Sequence, residues 1–223
     1  MSVSKKGKDF WGPEFWTLSH YYGITYSRDN REYFIEYWKL LTRLLPCEVC
    51  RKNLTYKLKR YPTSEYLISK EKAFFYTYFL HDLVNKHVTQ YHPKSPKVSP
   101  SFESVRSYYI KMSHNDLLWK NAFWNVLFIL ATTYRPESSK EFERFLWVSS
   151  NLLPNWFSDR FQNGLRKFPP KPYLRNNNDA FFYVYLLFDN MVKRPELVPQ
   201  FDSIKYHYFK ALGEECSECN LKQ

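Results

Sequence analysis

Apolar side chains recur every three or four residues along nearly the whole chain, with polar and charged side chains between them. This spacing is typical of amphipathic helices that bury one face against their neighbours. A capping-box pattern from Asp29 to Glu32 predicts where the second helix begins. The apolar faces of the first two predicted helices are formed by Phe15, Leu18, Tyr22 and Tyr26, and by Phe34, Tyr37, Trp38, Leu41, Leu44 and Leu45.

Three more helices are predicted before the middle of the chain. The third begins at a proline-cysteine pair, because proline suits the first turn of a helix. No run of residues alternates convincingly with period two, so the predicted fold class is all-α. The three predicted helices run from Pro46 or Cys47 toward Lys59, from about Ser69 to Val88, and from Phe102 to Met112.

The second half of the chain repeats the first. The offset is 108 residues over three helices, 107 over the fourth and 99 over the fifth. In the fourth helix, six of eight aligned residues are identical. The clearest matches are 15–16 with 123–124, 73–80 with 180–187, and 102–106 with 201–205.

This repeat predicts two tandem five-helix bundles. The first covers residues 10–112, and the second, residues 117–212, is a degenerate repeat of the same module without cysteines. Residues 213–223 form a predicted flexible C-terminal tail. The alternative is a set of unrelated helices that share an aromatic bias.

Composition fits a globular protein, with 44% apolar and 20% aromatic residues among 223. The longest uncharged, proline-free run in the middle, Asn121 to Tyr134, is too short and too polar to span a membrane, and the first ten residues lack an apolar signal core. We therefore expect a soluble, unsecreted protein. The net charge of +11 fits a nucleic-acid surface, a phosphate-bearing ligand or a solvated basic face, and the absence of a dominant basic block favours the last.

The four cysteines form two CxxC pairs, a spacing that indicates redox or metal chemistry. Comparing the two halves separates shared packing from this chemistry. Aromatic core positions persist in the second half, whereas five polar or reactive positions are lost together, which indicates that the five form one site. The changes are His20 to Phe128, Cys47 to Asn155, Cys50 to Ser158, His81 to Phe188, and Asn85 to Val192.

Simple chemistry supports a redox site at the first CxxC. Unpaired backbone N–H groups at a helix start carry partial positive charge, which stabilises a thiolate there. Cys47 lies at such a position, so its thiolate and disulfide exchange are favoured. His20 and His81 are expected to line a pocket with Trp16 and Asn85. Taken singly, a histidine is more often a satisfied core residue, and a CxxC is about as often metal-binding as redox-active.

Three motifs occur in order within residues 10–112: Trp11-Gly12-Pro13-Glu14-Phe15-Trp16 with Leu18 and His20, then Leu45-Pro46-Cys47-Glu48-Val49-Cys50, then His81-Asp82-Leu83-Val84-Asn85. They resemble the W-x-x-L-H, P-C-x-x-C and H-N-x-V-N signatures of the Erv/ALR flavin-dependent sulfhydryl oxidases. Ser19 replaces the leucine before His20, Asp82 replaces the usual asparagine, and Gln90 stands where a lysine is common. The extra structural disulfide of cellular members has no counterpart among these cysteines. In this respect the chain resembles the large-DNA-virus branch of the family.

The resemblance implies an Erv-type four-helix bundle with a short fifth helix that binds FAD. Cys50 is then the sulfur next to the flavin, and Cys47 is the one that substrate attacks. Electrons pass from dithiols through Cys47-Cys50 to FAD and on to oxygen, giving hydrogen peroxide. No metal is implied. The implied cofactor-binding residues are Gly12 in a turn, Trp16, His20, Cys50, His81, Val84, Asn85 and Lys86, with Lys94 or Lys97 as other contacts to the pyrophosphate.

The second CxxC, Cys216 and Cys219, lies among acidic residues near the C-terminus. It resembles the shuttle pair that relays oxidation in some family members. It is equally well read as an inert exposed pair, and both CxxC pairs together could form a four-thiolate zinc site.

Two other functions compete with the oxidase. One is an all-helical, zinc-stabilised nucleic-acid-binding module, and the other is a thioredoxin-like reductase, which is disfavoured because the CxxC lies between helices. For the oxidase, the expected partners are thiol-containing proteins, such as a thioredoxin-like protein, and oxygen, with neither membrane nor nucleic acid. The halves are expected to form an intrachain pseudo-dimer, with a homodimer as an additional contact. The expected location is the host cytoplasm, a virus assembly site or the virion.

Overall fold

A computed structural model describes residues 6–91, 93–94, 96–192 and 198–213. Within these residues the regular elements are ten α-helices and four short 3-10 turns, which confirms the predicted all-α fold class. The helices are α1 (Gly7–Ile24), α2 (Arg31–Leu44), α3 (Glu48–Arg60), α4 (Lys70–Tyr91), α5 (Phe102–Ser113), α6 (Asp116–Thr132), α7 (Ser139–Ser150), α8 (Asn155–Lys167), α9 (Asn177–Met191) and α10 (Phe201–Leu212).

The capping contact before α2 lies at a different position from the predicted one. A 3-10 turn over Arg28–Asn30 precedes the helix, and its own capping contact joins the Ser27 backbone N–H to Asn30 Oδ1 at 3.2 Å. The box predicted from Asp29 to Glu32 is therefore displaced by two residues. The polar run forms a separate turn before the helix instead of serving as its first turn.

α1 and α4 pack closely at the centre of the first half. A Cβ atom on Gly23 would lie 2.8 Å from Thr77 Cγ2 and 3.1 Å from Phe74 Cα. The first distance is shorter than real Cβ contacts and the second is unusually tight, so glycine allows the two helices to approach at this level. The approach brings side chains of α1 into hydrogen-bonding range of α4.

The two halves share long-range hydrogen bonds as well as helix order. Three tyrosine hydroxyls in the first half donate to backbone carbonyls, and the corresponding tyrosines of the second half do the same. The descent of the second half from the first stays a prediction, and these bonds support it. The pairs are Tyr26–Leu67 (3.1 Å) with Tyr134–Leu174 (3.0 Å), Tyr76–Tyr61 (2.9 Å) with Tyr183–Phe168 (2.8 Å), and Tyr78–Pro100 (2.9 Å) with Tyr185–Pro199 (3.1 Å).

The halves meet through corresponding helices, α1 with α6 and α2 with α7. The Tyr37 and Phe145 rings contact each other with centroids 5.8 Å apart, and these positions correspond at the 108-residue offset. The residues just before them, Glu36 and Arg144, also correspond at the 108-residue offset, and they form an ion pair. Contact between equivalent positions is the pattern of a two-fold axis.

The described residues contain no helix that is both long enough and apolar enough to cross a lipid bilayer.

Candidate active site

Cys47 and Cys50 form a disulfide at the N-terminus of α3. Cys47 is the N-cap residue, and its Sγ accepts a hydrogen bond from the Cys50 backbone N–H at 3.2 Å. The same N–H and the positive end of the helix stabilise a thiolate at Cys47 when the bond is reduced. Sulfurs joined in a disulfide cannot act as thiolate ligands, so this arrangement favours redox chemistry over the predicted zinc alternative.

The two sulfur-bearing residues differ in exposure. Cys47 is 8% exposed, whereas Cys50 is half-buried. Exposure alone therefore makes Cys50 the more accessible residue. The predicted attack of substrate on Cys47 needs a direct test by single substitution.

Cationic side chains surround the start of α3. Arg51 Nη1 donates to the Leu45 carbonyl oxygen at 2.6 Å and thereby supports the turn that carries Cys47. Arg135 comes from the second half, where its Nη2 donates to the Arg43 carbonyl oxygen at 3.0 Å. Each half of the chain thus places one arginine on the backbone just before the start of α3.

α3 is attached to α4 one turn after the disulfide. Asn53 Nδ2 donates to His87 Nε2 over 3.1 Å. Neither residue was expected at the site from the sequence. The bond fixes the disulfide-bearing helix relative to the helix that carries His81.

His20 and His81 form a hydrogen-bonded pair between α1 and α4. His20 Nε2 lies 3.0 Å from His81 Nδ1, and His20 Nδ1 lies 2.8 Å from Thr77 Oγ1. Burial lowers the pKa of His20 to about 3, with His81 adding to the effect, and burial lowers the pKa of His81 to about 4. Both imidazoles are therefore neutral at pH 7.

Aromatic rings cover the histidine pair. The Trp16 and His81 rings stack in parallel with centroids 4.1 Å apart. Tyr109 of α5 covers His20 at 4.7 Å. The predicted grouping of Trp16, His20 and His81 is thus present in the structure, while their predicted role in cofactor binding stays a prediction.

A cavity of about 370 Å³ opens beside the histidines, between α4, α5 and the segment before α5. Asn85 Nδ2 donates to Ser99 Oγ at 3.0 Å and holds this segment against α4. Aromatic rings and polar side-chain atoms both line the cavity. This lining fits a planar heteroaromatic group that has hydrogen-bonding edges. The lining residues are His20, Tyr78, His81, Asp82, Asn85, Ser99, Pro100, Ser104, Val105, Tyr108 and Tyr109.

Several predicted cofactor residues lie outside this lining. Gly12 is inside α1, so the predicted Gly12 turn is wrong, because the helix already begins at Gly7. Val84 is half-buried on α4. Lys86 is exposed and pairs with Asp82, its Nζ 2.6 Å from Oδ2.

The remaining predicted residues are placed as follows. Trp16 is outside the cavity lining, and so are Cys47 and Cys50 at the start of α3. Lys97 Nζ lies 3.9 Å from Asp9 Oδ1, and Lys94 is exposed. Cys216 and Cys219 lie outside the described residues.

Sequence reasoning missed Thr77 and Tyr109. Tyr109 has a tyrosine at the matching position of the second half, Tyr208, so the comparison of halves classed it with shared packing. Thr77 did carry a signal, because the matching residue is Val184, one of two differences in the eight-residue segment.

Phenylalanine rings occupy the corresponding place in the second half. The Phe128 and Phe188 centroids lie 5.9 Å apart, and Trp124 contacts Phe188 edge-on at 5.1 Å. Phe128 and Phe188 thus stand at the positions of His20 and His81, but Trp124 meets Phe188 edge-on, whereas Trp16 stacks on His81. Apolar packing has therefore taken the place of the histidine pair.

The neutral histidine pair predicts a pH dependence of stability. An unfolded histidine binds a proton near pH 6.5, whereas the folded pKa values are about 3 and 4, so protonation favours unfolding. The stabilisation is complete above pH 6.5 and is lost as pH falls toward 4 for His81 and toward 3 for His20, by at most about 1.4 kcal/mol per pH unit for each histidine. Urea unfolding at several pH values measures it.

The control is the double variant His20→Phe with His81→Phe, which copies the second half. Asp82 and Tyr109 face the same cluster and stay unchanged in it. The difference between wild type and variant therefore isolates the histidines. An identical pH slope in both proteins would contradict the prediction.

Comparison with known proteins gives two matches. Residues 13–103 match the model of the Erv1 / Alr family. The chain is also 27% identical over 110 residues to a protein of Acanthamoeba polyphaga mimivirus named a probable FAD-linked sulfhydryl oxidase, covering 47% of this chain and 77% of that protein. No solved structure matches the chain.

Proposed function

We propose that the chain is a FAD-dependent thiol oxidase that makes disulfide bonds in protein substrates, because residues 13–103 match the model of the Erv1 / Alr family. Electrons go from substrate dithiols through Cys47–Cys50 to FAD and then to oxygen, which becomes hydrogen peroxide. The observation that carries the proposal is the Cys47–Cys50 disulfide at the N-terminus of α3.

The exchange step uses both cysteines. A substrate thiolate attacks Cys47 Sγ, so a mixed disulfide forms and Cys50 leaves as a thiolate. The second substrate thiolate then attacks the substrate sulfur of the mixed disulfide and releases Cys47 as a thiolate. The substrate has become a disulfide, two protons have been released, and the enzyme dithiol holds two electrons.

Residues of α1 and α4 are suited to hold the cofactor. His81 and Asn85 provide polar atoms at the cavity, and Trp16 supports the His81 ring by stacking on it. The chemistry that FAD supplies when bound is acceptance of two electrons from a dithiol and their transfer to oxygen. The protein's part is placement, exclusion of water by aromatic rings, and stabilisation of the thiolate.

The second half takes the place of a partner subunit in this proposal. Its helices α6 and α7 cover α1 and α2, and Tyr21 stacks on Trp119 with centroids 5.3 Å apart. Its own site is filled by Phe128 and Phe188, which supports a packing role without flavin binding. We expect the enzyme to work in the host cytoplasm, at a virus assembly site or in the virion.

The visible spectrum of the purified full chain, with and without dithiothreitol under air, tests the function. We expect the absorption of oxidised flavin, bleaching by dithiothreitol and recovery while oxygen is consumed. A colourless protein that contains stoichiometric zinc would support the rival nucleic-acid-binding module instead.

The second CxxC has a separate test. If Cys216 and Cys219 are a shuttle, deleting residues 214–223 leaves turnover of small dithiols intact, because these enter the site by diffusion. Oxidation of a folded protein substrate becomes slower. The matched control is Cys216→Ser with Cys219→Ser in the full chain, which should reproduce the deletion. Equal rates for all three proteins on both substrates would make the pair inert.

A further inference from the structure

The hydrogen bonds of the Thr77 hydroxyl determine which ring nitrogens of the two histidines carry a hydrogen. Thr77 Oγ1 donates its single hydrogen to the Phe74 carbonyl oxygen at 2.7 Å, because a carbonyl can only accept. The contact of 2.8 Å between Thr77 Oγ1 and His20 Nδ1 must then be a bond in which the oxygen accepts. His20 therefore carries a hydrogen on Nδ1.

The hydrogen on His20 Nδ1 also determines the tautomer of His81. A neutral imidazole has one N–H and one bare nitrogen, so His20 Nε2 is bare. His20 is 1% exposed, and burial disfavours the charged form. The 3.0 Å contact then requires His81 Nδ1 to donate to His20 Nε2. His81 is also neutral, which leaves its Nε2 as the bare nitrogen.

We propose that Thr77 is a positioning residue that fixes both histidines as Nδ1–H tautomers, so that His81 offers Nε2 to the cofactor as a hydrogen-bond acceptor. No described residue forms a hydrogen bond with His81 Nε2, and His81 lines the cavity. A ring system with an N–H or NH2 edge satisfies this nitrogen. The inference rests on the proposed function, because FAD carries such edges on both of its ring systems.

Two observations outside the hydrogen bonds support this role. All three members of the relay change to apolar residues in the second half, Thr77 to Val184, His20 to Phe128 and His81 to Phe188. Gly23 gives Thr77 its position, because a Cβ there would lie 3.1 Å from Thr77 Oγ1.

The experiment uses the full chain labelled with 15N-histidine, with FAD bound and with FAD removed. The variants are Thr77→Val, which has the same shape and removes the acceptor, and Thr77→Ser, which keeps it. Long-range 1H–15N spectra at pH 7 report which ring nitrogen carries the hydrogen, and substitution of each histidine assigns the signals. Titration of the FAD-free protein with FAD gives the dissociation constant.

In wild type and Thr77→Ser we expect Nδ1–H tautomers at both histidines. In Thr77→Val we expect His20 to change to the Nε2–H tautomer, which removes the acceptor for His81. The FAD dissociation constant should rise about tenfold in Thr77→Val, as expected for loss of one hydrogen bond, and should stay within about twofold in Thr77→Ser.

Three results would overturn the inference: an Nε2–H tautomer at His81 in wild type, unchanged tautomers in Thr77→Val, or equal loss of FAD affinity in both variants. A wild-type chain that binds no FAD would overturn the proposed function and the cofactor contact of His81. The spectra of the FAD-free chain would still decide whether Thr77 sets the tautomers, so the two failures are distinguishable.

Discussion

Oxygen consumption with dithiothreitol is expected to fall to the background rate when either Cys47 or Cys50 is replaced by serine. Disulfide exchange needs two sulfurs, one to form the mixed disulfide and one to leave as a thiolate. A serine oxygen does neither under these conditions. An oxygen electrode measures the rate, and the double variant Cys216→Ser with Cys219→Ser is the control that should keep turnover of this small dithiol.

The same two variants decide the roles of the sulfurs. If Cys50 is next to the flavin, the Cys47→Ser protein shows a long-wavelength charge-transfer shoulder, and the Cys50→Ser protein does not. The half-buried position of Cys50 and the burial of Cys47 make this assignment worth testing. A shoulder in the Cys50→Ser protein would reverse the roles, and retained activity in either variant would exclude the mechanism.

Separating the two halves is also expected to have a large effect, on association state and FAD content. Residues 1–113 alone should aggregate, self-associate or lose FAD. The interface consists of large buried rings, such as Tyr21 against Trp119 and Tyr37 against Phe145, and aromatic pairs contribute about 0.5–1.5 kcal/mol each beyond the burial of their area. Size-exclusion chromatography with light scattering measures the mass, and the flavin absorbance measures the FAD content.

A matched control is the same fragment with Tyr21→Lys. A charge on the exposed face should reduce self-association if that face is the contact surface. The full chain provides the reference for FAD content and activity. A monomeric 1–113 fragment with full activity would exclude the second half as a required partner.

Helical periodicity was sufficient to predict most of the fold. The buried faces of α1 and α2 follow from apolar spacing alone, since tertiary packing keeps these residues inside. The Gly12 turn that the resemblance implied was wrong, because α1 extends from Gly7 through Pro13 without a break. Pro13 removes one backbone hydrogen bond from the helix, and the flanking Trp11 and Phe15 rings are buried.

The candidate site was predicted in part. Loss of His20 and His81 in the second half indicated a site, and the structure brings both to one hydrogen bond. The contributions of Thr77 and Asn53 depend on which side chains face each other across helices, as in the Asn53–His87 bond. Spacing along one helix carries little information about such contacts.

The ion pair between Glu36 and Arg144 shows that the two sides of the interface between the halves can carry different residues at equivalent positions. Arg144 Nε and Nη2 donate to the two Glu36 carboxylate oxygens at 2.6 and 2.7 Å, and the two positions correspond at the 108-residue offset. In an assembly of two identical subunits, a residue beside the symmetry axis meets its own copy, so glutamate would face glutamate. Joining both sides in one polypeptide removes that restriction, because each side can acquire its own substitution. Attraction can therefore replace repulsion at the axis through a single codon change on one side.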